Sequence, residues 1–299
     1  MTNLAFSRRR FLQLAAAAPL CRAFGAEKFA PPLVIFDKVF QEAKMTWEQS
    51  AATLAAAGFD GVDCTVRPKG VVLPERVAED LPRYAEILGK QKQKIMLLTT
   101  AITEVKSPGA ENILRAAKKL GVTYYRIGYW QHKAGGPSPE KVRAEVKAQL
   151  KDLAALNREI GVCAIFQNHS PNKKSTSRYV GGDLGEMREV LQDFDPKQIA
   201  CAFDLGHALI VHGDEWGQHF EALKPWLKIA YVKDTTRGTG FVPFGTGEFG
   251  KTDFFQRLRK MNYSEPLSVH IEFKWSPMDQ PTLQKILTDT RRVVGQWLA

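Results

Sequence analysis

The sequence predicts a single-domain α/β fold, a closed (β/α)8 barrel, and four observations carry that prediction. From residue 33 onward, eight short apolar runs alternate with eight stretches of helical period. Several helical stretches end in a glycine followed at once by the next apolar run, as in Ala57-Gly58-Phe59, Leu120-Gly121-Val122 and Ile160-Gly161-Val162. No segment rich in Pro, Gly or Ser divides the chain. The first run leads into Phe36-Asp37-Lys38-Val39-Phe40, without the glycine-rich turn that opens a doubly wound sheet.

Taken in order, the expected strands are 33–36, 61–66, 95–100, 122–128, 162–167, 199–204, 227–233 and 266–273. Each is four to eight residues long and mostly apolar, as a strand covered on both faces should be. The expected helices are 46–57, 74–91, 109–120, 139–160, 184–192, 215–223, 252–261 and 281–298. In the longest, Val142, Val146, Leu150, Leu153 and Leu156 recur near one face, the stripe that packs on a sheet. A strand, a helix and the next parallel strand repeated eight times close into a barrel.

Composition narrows the class. With 44% hydrophobic residues the chain can bury a large core, which excludes long disorder. Four scattered cysteines exclude a disulfide scaffold, and Cys64, Cys163 and Cys201 fall inside strand runs, where buried free thiols are expected. The formal charge of +10 invites a polyanion partner, but much of it sits at the start of the chain. Ser7-Arg8-Arg9-Arg10-Phe11-Leu12 is a twin-arginine signature, followed by an alanine-rich run to Leu20 and small residues around Gly25. Residues 1–26 therefore read as an export signal, and 27–299 as the barrel, in a periplasmic or otherwise extracytoplasmic location. The apolar run is shorter than the ~20 residues that span a bilayer, so any membrane contact is transient. Arg8, Arg9, Arg10 and Arg22 precede the first acidic residue, so +6 of the ten charges remain from Glu27 on. They are spread among acidic residues without a basic helix or aromatic ladder, which argues against nucleic acid.

Barrel enzymes place their chemistry at the C-terminal ends of the strands. Four consecutive runs end in ionisable groups: Gln167-Asn168-His169, Asp204-Leu205-Gly206-His207, Tyr231-Val232-Lys233-Asp234 and His270-Ile271-Glu272. Alternation puts Gln167 with His169, Tyr231 with Lys233, and His270 with Glu272 on shared faces. Asp204 and Glu272 with nearby imidazoles suit one divalent ion (manganese, cobalt, zinc or magnesium). Such an ion would hold sugar oxygens and stabilise an enediolate formed when a base removes the C–H proton beside a carbonyl. Lys233 is a candidate acid/base or charge stabiliser, with His207 and His270 as further catalytic candidates. Asp63, Arg67, Arg126 and Trp130, at the ends of the second and fourth runs, are candidates for the sugar pocket. The loop 170–182, with Lys173, Lys174 and Arg178, follows the fifth run and is a candidate cover.

These strand ends, together with Gly58-Phe59-Asp60-Gly61-Val62-Asp63 and Leu267-Ser268-Val269-His270-Ile271-Glu272, resemble the sugar phosphate isomerase/epimerase family of xylose isomerase-like barrels, over essentially all of 27–299. The resemblance implies one metal held by Glu, Asp, His and Glu from strands five to eight, with Asp204 and Glu272 as ligands and His207 as a sugar contact. Gln167 stands where the family usually has Glu, and Tyr231 where it usually has His. His169 and His270, two residues along, are candidate replacement donors, and the expected metal set is His169, Asp204 and Glu272, with Gln167 on the substrate. The departures, with Val242-Pro243-Phe244-Gly245-Thr246-Gly247, resemble an exported branch acting on 3-keto sugars and glycosides by proton abstraction, with lyase-type or hydrolytic cleavage. The alternative is a metal-free carbohydrate-binding barrel without catalysis. The expected partner is a small sugar or glycoside, and homodimerisation is common in such barrels.

Overall fold

The computed structural model describes residues 29–171 and 177–299, so the expected signal 1–26 and Lys173 and Lys174 lie outside the described residues. Eight parallel strands close into a barrel: β1 (Leu33–Phe36), β2 (Gly61–Val66), β3 (Lys94–Thr100), β4 (Tyr124–Arg126), β5 (Cys163–Gln167), β6 (Ile199–Asp204), β7 (Leu227–Val232) and β8 (Leu267–Val269). Each strand pairs with its sequence neighbour, and β8 returns to β1 through Leu33 opposite Leu267.

The expected strands and helices all appear within a few residues of their expected ends. The helices are α1 (Lys38–Glu42), α2 (Trp47–Ala57), α3 (Val77–Lys90), α4 (Ala110–Lys119), α5 (Pro139–Ile160), α6 (Leu184–Leu191), α7 (Leu205–His212), α8 (Trp216–Leu223), α9 (Phe254–Lys260) and α10 (Gln280–Leu298). Local chemistry sets several ends. Thr46 and Gln49 form a reciprocal capping box at the start of α2. Ser138 accepts from the Lys141 N–H at the start of α5, and Gly161, at φ 78°, takes the left-handed conformation that stops it.

Alternation along the strands divides the apolar residues between two cores. Val34, Leu97, Cys163, Ile165, Ala200, Ala202, Ile229 and Tyr231 fill the barrel interior. A larger cluster, including Val62, Leu98, Phe166, Phe203 and Val232, lies between the sheet and the helices. Ala200 and Ala202 on β6 leave room inside for the fully buried Tyr231 of β7. The three described cysteines are free and buried.

Two elements were not expected from the sequence. α1 and α7 each begin directly at a strand end, and α7 takes Asp204 as its N-cap, with Oδ1 accepting the His207 N–H at 3.2 Å. Two short ribbons also sit beyond the strands. One pairs Gln131–His132 with Arg178–Tyr179, and the other pairs Thr235–Thr236 with Gly240–Phe241. Among the described residues no helix is long and apolar enough to cross a membrane.

Candidate active site

At the C-terminal end of the barrel lies a cavity of about 130 Å³ lined by Phe36, Lys38, Arg67, Arg126, Tyr129, Gln167, His169, Lys233, His270 and Glu272. That volume is below the ~300–1,000 Å³ of sites for drug-sized ligands. Larger depressions lie elsewhere, one of them around Lys94, Tyr124 and Glu265 at the opposite end of the barrel, away from this set of ionisable groups.

The floor is built around Lys233. It is the next inward position after Tyr231, one residue beyond the end of β7, and its ammonium is almost wholly buried. Nζ lies 3.0 Å from Asp204 Oδ2, 3.6 Å from Glu272 Oε1 and 3.2 Å from His207 Nε2. Burial alone would discharge this amine, but Asp204 and Glu272 outweigh it and hold the ammonium above the usual lysine range. Burial would likewise neutralise Asp204, yet the Lys233 charge keeps that carboxyl below its ordinary range; Glu272 is held well below for the same reason, with help from His270.

Because an ammonium only donates, His207 Nε2 must accept from it, so Nδ1–H donates to Ser170 Oγ at 2.9 Å. Burial, then the nearby Lys233 charge, hold His207 well below the ordinary imidazole range, so it is neutral. Asp204 Oδ2 also accepts from Gln167 Nε2 at 2.8 Å, and Gln167 Oε1 accepts from the Tyr129 hydroxyl at 2.6 Å. The amide is thereby oriented, since a carboxylate can face only its N–H side.

His169 stands in the wall. Its Nδ1 is 2.7 Å from the Ser170 carbonyl, which can only accept, so the proton is on Nδ1 and Nε2 keeps its lone pair. The ring lies tilted at 35° against His207 with centroids 3.8 Å apart and meets Tyr129 and Tyr179 edge-on. Burial and the Lys233 charge lower its pKa. Opposite, Phe36 stacks on His270 at 4.4 Å, and Arg67 and Arg126 lie over Phe36 and Tyr129. Arg126 Nη1 is buried without a hydrogen-bond partner.

The structure gathers Arg67, Arg126, Gln167, His169, Lys233, His270 and Glu272 around one cavity, as their strand positions predict. Four expected site residues sit elsewhere. Asp63 is fully buried below the cavity, accepting from the Thr99 and Ser268 hydroxyls, and Ser268 in turn holds His270 at 3.1 Å. Trp130 turns away to Gln149 and packs on Phe166. Both nitrogens of His207 are engaged, so it positions Lys233 from beneath the cavity. Asp204 is likewise sealed under the wall. Among the described residues no three His, Cys, Asp or Glu side chains converge as a metal site, and Asp204 and Glu272 share Lys233. Arg178, from the expected cover loop, reaches toward Glu186.

Sequence reasoning missed Phe36, Lys38 and Tyr129. Tyr129 lay next to the residue that was chosen, and only the geometry of the loop after β4 separates it from Trp130. The conspicuous Val242-Pro243-Phe244-Gly245-Thr246-Gly247 segment is structural. The Asp234 carboxylate accepts the backbone N–H groups of Thr235, Gly245, Gly247 and Phe249, which folds the segment around it.

A model of the xylose isomerase-like TIM barrel family matches residues 51–287. The chain belongs to that family. Among solved structures it is similar to D-psicose 3-epimerase from Clostridium cellulolyticum H10 (10% identity, 90% of this chain and 98% of that one, TM-score 0.65). It is also similar to 3-keto-D-glucoside 4-epimerase from E. coli (14% identity, 84% and 93%, TM-score 0.61). A third is a xylose isomerase-like barrel from Mycobacterium smegmatis in complex with magnesium (14% identity, 90% and 97%, TM-score 0.65). At these identities the likeness establishes the fold. No curated protein matches the sequence.

Proposed function

We propose that this barrel is an exported enzyme that enolises a keto sugar or 3-keto glycoside, removing the proton beside the ketone and returning it as an isomerase or epimerase, or expelling a neighbouring oxygen as a lyase. The observation that carries this reading is the free Nε2 lone pair of His169 beside a buried ammonium in a small polar cavity at the C-terminal end of the barrel. Its family membership and the sugar epimerases among its structural neighbours support it.

In this mechanism the ketone oxygen lies toward Lys233 and Arg126. His169 Nε2 takes the α C–H proton, and the electron pair moves through the new C=C to the oxygen, where the cations stabilise the enolate. For isomerisation, His169 then gives the proton to the former carbonyl carbon while the neighbouring hydroxyl loses its own proton and becomes the new carbonyl. For epimerisation, the enolate is reprotonated on its opposite face and His169 releases its proton to solvent. For cleavage, His169 gives the proton to a departing oxygen as the enolate collapses. Gln167, Tyr129 and Glu272 are placed to bind hydroxyls.

The expected divalent ion does not fit the donors as arranged. Gln167 turns N–H rather than oxygen toward Asp204, Tyr231 offers a phenol, and an ammonium already lies against both carboxylates. No step is therefore assigned to a metal.

The test is incubation with a panel of keto sugars and 3-keto glycosides in deuterated water. Deuterium should appear at the carbon beside the ketone, and His169→Asn should slow its appearance about 100-fold or more. Absence of deuterium across the panel, with sugar still bound by calorimetry, would favour the carbohydrate-binding alternative.

A further inference from the structure

We propose that the ammonium of Lys233 is the resident cation of this site, taking the place of a divalent ion among the strand ends of the barrel. Three independent placements support this. Nζ is surrounded by the carboxylates of Asp204 and Glu272 and by the ring nitrogen of His207, at 3.0, 3.6 and 3.2 Å. These are groups a metal would compete for, and a second positive charge at this spacing would be repelled by the first. The Gln167 amide supplies a donor to Asp204, where a metal cage needs an acceptor, and the Tyr129 hydroxyl on its carbonyl oxygen fixes that orientation. Tyr231, on the inward face of β7 one step before Lys233, places a fully buried phenol against His270 where an imidazole would supply a nitrogen.

The charges then balance differently from a metal cage. Two carboxylates face one ammonium, leaving Glu272 at the cavity wall free to meet substrate hydroxyls. Lys233 is held from below by Asp204 and His207, and His207 is held by Ser170, so the cation is fixed before substrate arrives. Phe241, from the ribbon after β7, lies 5.2 Å from Nζ and covers it with an aromatic face. The role of Lys233 as electrophile rests on the enolisation reading above, whereas its standing as resident cation does not.

Metal binding is measured without substrate, so the two readings fail separately. Purified without chelator, the wild-type chain should carry less than about 0.1 transition-metal ion. Added manganese should keep its free electron paramagnetic resonance signal. The double variant Lys233→Ala/Gln167→Glu removes the ammonium and restores a third carboxylate, and should bind manganese at least about tenfold more tightly than wild type. Stoichiometric manganese on the wild-type chain overturns the proposal, and so does a folded double variant that gains no affinity. If the double variant does not fold, Lys233→Met and Lys233→Arg decide the matter. Lys233→Arg should still exclude manganese, and Lys233→Met should admit it; equal binding by the two overturns the proposal.

Discussion

Asp37 shows how much of this end of the barrel depends on a single proton. It follows β1 and is fully buried, with Oδ1 accepting both the N–H and the hydroxyl of Thr65, while Oδ2 has no partner. Burial pushes its pKa up to about 7 from 3.8, against those hydrogen bonds and with a small contribution from Asp63. The folded chain therefore holds a proton that the unfolded chain releases between those values. The stability this group contributes is complete below about pH 4 and is lost as pH rises through about 7, at about 1.4 kcal/mol per pH unit crossed. Asp37→Asn keeps the acceptor toward Thr65 and needs no proton. Its advantage in Tm over wild type should be near zero at pH 4, grow to about pH 7 and level off above it; a pH-independent difference would sink this account. None of it was legible in the sequence, where Asp37 is one polar residue at a strand end. By contrast Lys233, His270 and Glu272 were legible, because alternation along an apolar strand decides which side chains point inward.

At the scale of elements, the strand ends are aligned by side chains as much as by the sheet. Asn168, just beyond β5, accepts the Asp204 N–H through Oδ1 at 2.7 Å and donates to the Asp204 carbonyl at 2.9 Å. Its amide thus extends the ladder between β5 and β6 and fixes the backbone that carries Asp204. Asn168→Ala leaves the buried Asp204 N–H unpaired and removes one of the bonds to the Asp204 carbonyl, which as the N-cap of α7 also accepts the first intrahelical bond, a combined cost of roughly 3 kcal/mol. Tm should fall by about 6–12 °C. The rate of α-deuterium exchange should fall too, since Asp204 anchors Lys233; an unchanged Tm in scanning calorimetry would refute the role. α7 shows why this level was only partly readable. Leu205-Gly206-His207-Ala208-Leu209 reads as an apolar loop with a glycine in it, without the periodicity that reveals a packed helix. The glycine has a tertiary reason: a Cβ on Gly206 would stand 3.0 Å from the Lys233 carbonyl and 3.2 Å from its Cβ. Close approach of α7 to the end of β7 brings His207 to the ammonium. Such contacts depend on which elements become neighbours, and local pattern does not encode that.

At the scale of the whole molecule, the eight-unit alternation was readable from end to end because each strand and helix carries its own period. The division of labour follows from closure: small and branched residues fill the interior, and the polar layer crosses only one rim. The same closure bears on the proposed export. Cys64, Cys163 and Cys201 are free and buried in the walls, and burial pushes the Cys163 thiol up to about 12 and the other two higher still. An odd set of thiols is a hazard in an oxidising compartment if the chain arrives unfolded, because exposed thiolates pair at random. A twin-arginine route delivers a closed barrel in which none is reachable. In native buffer the described thiols should not react with an aromatic disulfide reagent, and all should react in denaturant. Arg8→Lys/Arg9→Lys should leave the chain in the cytoplasmic fraction. Exchanging residues 1–26 for a signal that threads unfolded chains should give mixed disulfides and little folded protein, with Cys64→Ala/Cys163→Ala/Cys201→Ala restoring the yield. Equal yields of reduced protein by both routes would show that folding before export is not what protects these thiols.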